Sequence, residues 1–242
     1  MNRIAQQVVR DVLERHLEPI FHASSFGYRP GRSAHDAVRQ SNRNVFNPDF
    51  AIDLYIERFF DTIDHELLLK ALSHYCPRSW VRLYVERWLK ARVMDAGHFR
   101  RTEKGTPQGG VISPLLANLF LHVAFDAWMA REHLEKPLER YADDVVVHCK
   151  TEKQAKYVLR CIEQRMCTCK LTLHPGKTTI VNLRGRASAR YPKKYDFLGF
   201  TIKPCLRILQ GKATVMPGRF VSSKSKANIP EKFRKLNIHK WR

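Results

Sequence analysis

The sequence predicts an α+β fold, an antiparallel or mixed sheet backed by helices on one face. Three observations carry that expectation. Short apolar strands and amphipathic helices alternate irregularly, without the regular strand–helix repeat of a parallel sheet. Two segments, near residues 140–149 and 197–202, read as hairpins. Of the 242 residues, 44% are hydrophobic, enough for one large domain or two small ones with a real core.

The elements follow in order. Ile4, Val8, Val12, Leu13 and Leu17 repeat at helical spacing and open the chain on an amphipathic helix. Ser24 to Ser33 (SSFGYRPGRS) is a Gly/Pro/Arg loop, and a helix resumes over Ala34 to Val38. From Ala51 to Glu57 the residues alternate, with Ile52, Leu54 and Ile56 facing one way and Asp53, Tyr55 and Glu57 the other, as in a half-buried strand. Asp64 is placed to cap the helix of Leu67, Leu68 and Leu72, and a second helix spans about Ser79 to Ala91. The loop Gly105-Thr106-Pro107-Gln108-Gly109-Gly110 is poor in side chains, so a ligand can approach its backbone closely. Ser113 as cap and Pro114 as first residue start a core helix carrying Leu116, Leu119, Phe120, Val123 and Trp128. Arg140 to Cys149 reads as two strands about the turn Ala142-Asp143-Asp144. A helix over about 152–170, a short strand at Leu171–Leu173 and a turn at Pro175-Gly176 come next. The apolar run Phe197–Ile202 follows, and beyond Pro204 the pattern turns basic and poorly periodic.

The chain carries 43 Lys+Arg against 23 Asp+Glu, a net charge of +20. The surplus is uneven: residues 182–242 hold 16 basic and 2 acidic side chains. Such a face favours polyanions, because neutralising phosphates releases condensed counterions. No apolar run approaches the roughly 20 residues of a bilayer span, and no signal peptide is visible, so a cytoplasmic protein without membrane contact is expected. The six cysteines form no CxxC pair and no zinc spacing, which predicts reduced thiols.

Adjacent carboxylates at a hairpin turn repel unless water screens them or a cation sits between them. Asp143 and Asp144 therefore read either as a solvated turn or as ligands of magnesium, the usual device of phosphoryl and nucleotidyl transfer.

Six strings, in order, decide between these: SFGYRPGRSAHDAV, ERFFDTIDH, GTPQGGVISPLLANLFL, RYADD, LTLHPGKT and FLGF. Together they resemble the blocks of reverse transcriptases of the group II intron-encoded, bacterial retron-like class, over Arg3 to about Arg219. The resemblance implies a right-hand polymerase palm with partial helical fingers: fingers over 1–50, palm over 51–203, and a basic segment over 204–242 leading toward a thumb or maturase region. It also implies a fingers–palm core cut at both ends. Asp143 and Asp144 would belong to the catalytic carboxylates that hold Mg2+ (or Mn2+), with Asp143 the main ligand. Gln108 would line the nucleotide pocket, Phe60 would screen the sugar 2′ position, and Arg29 and Arg32 would meet the triphosphate. Lys177 would protonate the pyrophosphate, and Phe197, Leu198 and Gly199 would form the primer grip. RNA template, DNA primer and dNTPs are the implied partners, with the host intron RNA as a further one.

One position departs from the pattern. Counting back from Phe59-Phe60-Asp61, the family's first catalytic aspartate falls on Tyr55. A neutral phenol does not replace a carboxylate bridging two cations. Asp53 shares its strand face but lies about 6.5–7 Å along the strand. Three readings follow: an RNA-directed DNA polymerase impaired at Tyr55, a catalytically silent RNA-binding module assisting intron folding, and an RNA-templated RNA polymerase, which Phe60 disfavours.

Overall fold

In the computed structural model, residues 3–46, 48–95, 98–101, 103–107, 109–184, 191–209 and 212–235 are described. Gln108 lies outside them.

Helix α1 (Arg3–Leu17) buries Val9, Leu13 and Leu17 and runs into a 3-10 turn (Glu18–Ile20). After the Ser24–Ser33 loop comes α2 (Ala34–Asn44), started by a capping box in which Ser33 and Asp36 satisfy each other's backbone amides. Strand β1 (Phe50–Tyr55) leads to a single turn of helix, α3 (Phe59–Thr62), then α4 (His65–Tyr75) and α5 (Ser79–Leu89). Asp64 caps α4 as expected, accepting from the Leu67 amide at 3.0 Å. A hairpin of β2 (Arg92–Asp95) and β3 (His98–Arg101) precedes α6 (Ser113–Leu121). A π segment (His122–Asp126) and α7 (Ala127–Glu132) prolong α6. Strands β4 (Leu138–Tyr141) and β5 (Asp144–Cys149) form the expected hairpin, followed by α8 (Glu152–Thr168). Strands β6 (Thr179–Asn182), β7 (Tyr195–Phe197), β8 (Phe200–Leu209) and β9 (Lys212–Val221) then precede α9 (Ser223–Lys235).

The palm sheet runs β4-β5-β1-β6, every pair antiparallel. Its apolar face, with Ile52, Leu54, Val145, Val147 and Ile180, packs under α1, α4, α5, α6 and α8 in one large core. This is the expected α+β layer of a polymerase palm. The opposite face is less open than the sequence suggested. Ala51, Val146 and Val181 make its far end apolar, and Phe26, Ala37, Val38, Tyr195, Phe197 and Ile202 cover it in a second core. The end at Asp53, Tyr55 and Asp144 is polar and half-exposed, whereas the polar residues under the cover, Glu139 and His148, are buried and satisfy each other at 2.8 Å.

Other local expectations change. Ser113 is not the cap of α6: Ile112 is, and the Ser113 hydroxyl instead donates to the Pro107 carbonyl at 2.7 Å, tying the glycine loop to the helix. Residues 171–173 form no strand of their own. They lie against the end of β1 through one bridge, Ile56 to Leu173, and the Glu57 amide bonds the Thr172 carbonyl at 2.9 Å. The segment beyond Pro204 is not irregular: β8 runs through that position and pairs with β9 along ten residues. Lysine and arginine outside an apolar alternation hid this two-stranded ribbon.

Candidate active site

The Ala142-Asp143 turn joins β4 to β5, with Tyr141 paired to Asp144. Ala142 takes φ +56°, a left-handed conformation that costs an alanine about 1 kcal/mol or more. Its surroundings hold it there. The buried Arg140 guanidinium donates to the Ala142 carbonyl at 3.2 Å, to both Asp126 oxygens at 2.8 and 2.6 Å, to Asn118 Oδ1 at 3.0 Å and to Ser25 Oγ at 2.7 Å. The Asn118 amide in turn donates to the Gly27 carbonyl at 2.7 Å. Gly27 lies so close that a Cβ there would stand 2.5 Å from the Ala142 nitrogen. The Ser24–Ser33 loop is thus stitched to the back of the Ala142-Asp143 turn.

Tyr55 sits directly opposite Asp144 in the β1–β5 register. Its backbone is fixed by the segment after α8: the His174 amide donates to its carbonyl at 2.8 Å, and its own amide donates to Thr178 Oγ1 at 3.3 Å. From that segment Lys177 places its ammonium 4.1 Å from the centre of the Tyr55 ring, a cation–π contact. Asp53, Tyr55, Asp144, Lys177, Lys194, Tyr195 and Asp196 line one cavity of about 460 Å3.

The carboxylates are held at a cost. Burial, reinforced by Asp144 and Asp196, pushes Asp53 up to about 7. Burial and the neighbouring Asp143 push Asp144 up to about 6, against the pull of Lys177. Burial also raises Asp143, again opposed by Lys177. A raised carboxylate binds its proton more tightly in the folded than in the unfolded chain. Its contribution to stability is therefore present at low pH and lost as pH rises from about 4 toward the folded value. Asp53→Asn is expected to raise the thermal midpoint at pH 8, by on the order of 1–3 kcal/mol in stability, and to leave it nearly unchanged at pH 4. Melting curves at the two pH values check this.

Does this set fit the metal centre of a polymerase? The raised carboxylates would each gain from a cation. Yet a phenol fills the facing position, and a lysine already lies beside it. Among the described residues, no group of three or more His, Cys, Asp or Glu side chains could hold a metal ion. The residues present do not fit a bridged two-metal centre.

The remaining expected residues divide. Phe60 is half-buried beside the cleft, edge-on to Tyr28 at 6.4 Å, and Tyr28 in turn lies 6.2 Å from Tyr141. Leu198 and Gly199 form the β7–β8 turn with φ +49° and +84°, the two-residue geometry favoured in hairpins. Phe197 is fully buried in the second core, so only the turn beside it is presented. Arg32 is half-buried, donates to the Ala23 carbonyl at 2.7 Å and lines a basic cavity with Arg39 and Arg43. Arg29 corrects the expectation of a triphosphate ligand. It is buried, and its fork is spent on Glu18 at 2.6–3.1 Å and on the His22 and Ser25 carbonyls at 2.8 and 2.7 Å. The exposed tyrosine Tyr28 and the carboxylate Asp196 were not singled out in the sequence. Tyr28 stands in the string SFGYRPGRSAHDAV, but only the fold turns it toward Phe60, and Asp196 arrives through the β7 edge.

Comparison with known proteins agrees with this architecture. The family model of the reverse transcriptase (RNA-dependent DNA polymerase) matches residues 1–202. The group II intron-encoded protein LtrA of Lactococcus lactis is 35% identical over 121 residues, 50% of this chain and 20% of that protein. The protein YkfC of Escherichia coli is 34% identical over 138 residues, 55% of this chain and 36% of that protein. The nuclear intron maturase 4, mitochondrial, of Arabidopsis thaliana is 29% identical over 121 residues, 49% and 15% of the two lengths. The chain thus spans well under half the length of these relatives. Among solved structures, apo telomerase from Candida tropicalis superposes with a TM-score of 0.64 at 14% identity, over 82% of this chain and 39% of that one. Telomerase from Candida albicans with a fragment of telomeric RNA gives 0.62 at 12% identity, over 82% and 37%. At such identities the likeness is one of fold, and the family generally works with divalent metal ions. From the family match across residues 1–202 and the palm that carries it, the chain belongs to the reverse transcriptase (RNA-dependent DNA polymerase) family.

Proposed function

We propose that this chain is the fingers (1–50) and palm (51–203) of a group II intron-type reverse transcriptase, with a basic segment from 204, and that it binds RNA while its own nucleotidyl transfer is suppressed. The observation that carries the reading is the pairing of Tyr55 with Asp144 under the Lys177 ammonium. Electrostatic stabilisation supplies most of phosphoryl-transfer catalysis, so a neutral ring in place of a bridging carboxylate removes its central element. Asp143 and Asp144 keep the ability to draw one divalent ion, Mg2+ or Mn2+. Lys177, the expected proton donor to pyrophosphate, rests on the phenol instead. The +20 charge, Arg32, and the Leu198-Gly199 turn support a nucleic-acid strand along the polar end of the sheet. The template RNA or a host intron RNA is the proposed partner, with DNA primer and dNTPs the substrates of an active relative. No described helix is long and apolar enough to cross a membrane.

Two measurements test this. Primer extension on poly(rA)/oligo(dT) with magnesium or manganese is expected to give little or no product. Filter binding of intron RNA across a salt series is expected to give a steep log–log slope, about −0.7 per phosphate neutralised on single strands. Robust synthesis by the unaltered chain overturns the reading of position 55. A flat slope, or no binding at low salt, removes the RNA-binding reading. One observation favours an alternative in which Asp53 substitutes: it shares the cavity with Asp144. Synthesis that disappears in Asp53→Asn would select that alternative.

A further inference from the structure

The Gly31-Arg32 corner and helix α2 enclose a cavity of about 340 Å3 that shares no lining residue with the one at Asp53 and Asp144. Asp36, Arg39, Gln40 and Arg43 recur at three- and four-residue steps along α2, so they form one stripe along that cavity. Its frame is held by its own bonds. Gln40 donates to Ser24 Oγ at 2.7 Å, tying the stripe to the preceding loop. Arg32 donates from one Nη to the Ala23 carbonyl at 2.7 Å, and its guanidinium lies 5.4 Å from the centre of the Phe26 ring. The charge is one-sided. Asp36 is the single acid of the lining. One of its oxygens accepts from the Ser33 amide and hydroxyl, and the other meets Arg39 at 3.1 Å. Among the described residues, Arg32 and Arg43 have no acidic partner at ion-pair distance.

We propose that this cavity holds backbone phosphates of a bound RNA strand, outside the cleft; the proposal rests on the reading of the chain as an RNA-binding domain. Guanidinium forks match phosphate oxygens two at a time and stay charged at every working pH. Arg39 and Arg43 stand about one helical turn apart, roughly 6 Å along the axis, so they can meet successive phosphates of a strand. The floor offers no base a stacking face, because Phe26 is 3% exposed. Such a contact positions a strand without reading its sequence. A nucleoside triphosphate carries the same phosphate chemistry but fits less well. It brings Mg2+, which takes carboxylate ligands, and the one carboxylate here is committed to the α2 cap and to Arg39.

The test uses the full chain and oligo(rU) in filter binding across a salt series. Arg39 and Arg43 are both exposed, and glutamine is about as good a helix former as arginine. Arg39→Gln with Arg43→Gln is therefore expected to fold normally and to make the salt slope shallower by about 1.4, two phosphates at about 0.7 each. The same change is expected on oligo(rA), since no base is read. Arg39→Lys with Arg43→Lys is expected to keep the slope but bind more weakly, because the charge stays and the forks are lost. Lys153→Gln with Arg160→Gln removes equal charge from the exposed side of α8 and is expected to leave the slope as it was. An equal change in that control pair would make the effect one of net charge and overturn the site. An unchanged slope in Arg39→Gln with Arg43→Gln, while the unaltered chain binds normally, would also overturn it and leave the proposed function standing. Displacement of oligo(rU) by ATP with Mg2+, abolished in the same glutamine pair, would reassign the cavity to a nucleotide and overturn the proposal. No binding by the unaltered chain would remove both readings.

Discussion

Tyr55→Asp is expected to raise primer extension by about two to three orders of magnitude over the unaltered chain. Position 55 faces Asp144 across a settled antiparallel register, and its carbonyl and amide are both held by the segment carrying His174 and Thr178. The substitution changes the side chain on a fixed frame. A carboxylate there would join Asp144 and Asp143, both already raised by burial. It would also release Lys177 from the ring it now covers. A second readout does not depend on turnover. The added like charge should lower the melting temperature in chelator, and Mg2+ should restore it, because a ligand that binds only the folded state stabilises it. The unaltered chain should melt with much weaker dependence on Mg2+. Restored metal response without restored synthesis would place the remaining defect outside position 55. An absent response in both readouts would remove the assignment of Tyr55 as the silencing residue.

Asp126→Ala is expected to destabilise the fold by about 3–5 kcal/mol, the largest effect on stability of any single change considered. Asp126 and Arg140 are both fully buried, at 2.6 Å from each other. Removing the aspartate strands a guanidinium in the core, where an isolated charge is far more expensive than a missing contact. The double change Asp126→Leu with Arg140→Met should recover much of the loss in a urea titration. It should nevertheless loosen the Ala142 turn, since Arg140 is also the donor to that carbonyl and to Ser25. A single Asp126→Ala loss below about 1 kcal/mol would mean that water reaches the arginine.

Local chemistry made some of this architecture readable in advance. The alternation from Ala51 through Ile56, the Asp64 cap and the Asp143 hairpin all express preferences of a few neighbouring residues, and the structure realises them. Partners distant in sequence were not readable in this way. Strand β6 is four residues long and is a strand only because it finds the free edge of β1. Arg29 looked like a phosphate ligand in a glycine-rich loop, but Glu18, eleven residues earlier, turns it inward. In the site, Tyr55 was legible from its distance to Phe59-Phe60-Asp61. Its contact with Lys177 and the approach of Asp196 depend on segments more than a hundred residues away, which no spacing announces.

The order β4-β5-β1-β6 also shapes how the chain is born. Strand β1 is synthesised before both of its neighbours, β5 ending at Cys149 and β6 at Asn182. At typical ribosomal speeds, β1 waits on the order of ten seconds with both edges bare before the sheet can close. Such long-range pairing is slow, and it exposes an aggregation-prone edge while it is pending. Production of this protein should therefore depend on chaperone capacity and temperature during synthesis, even where the finished fold is stable.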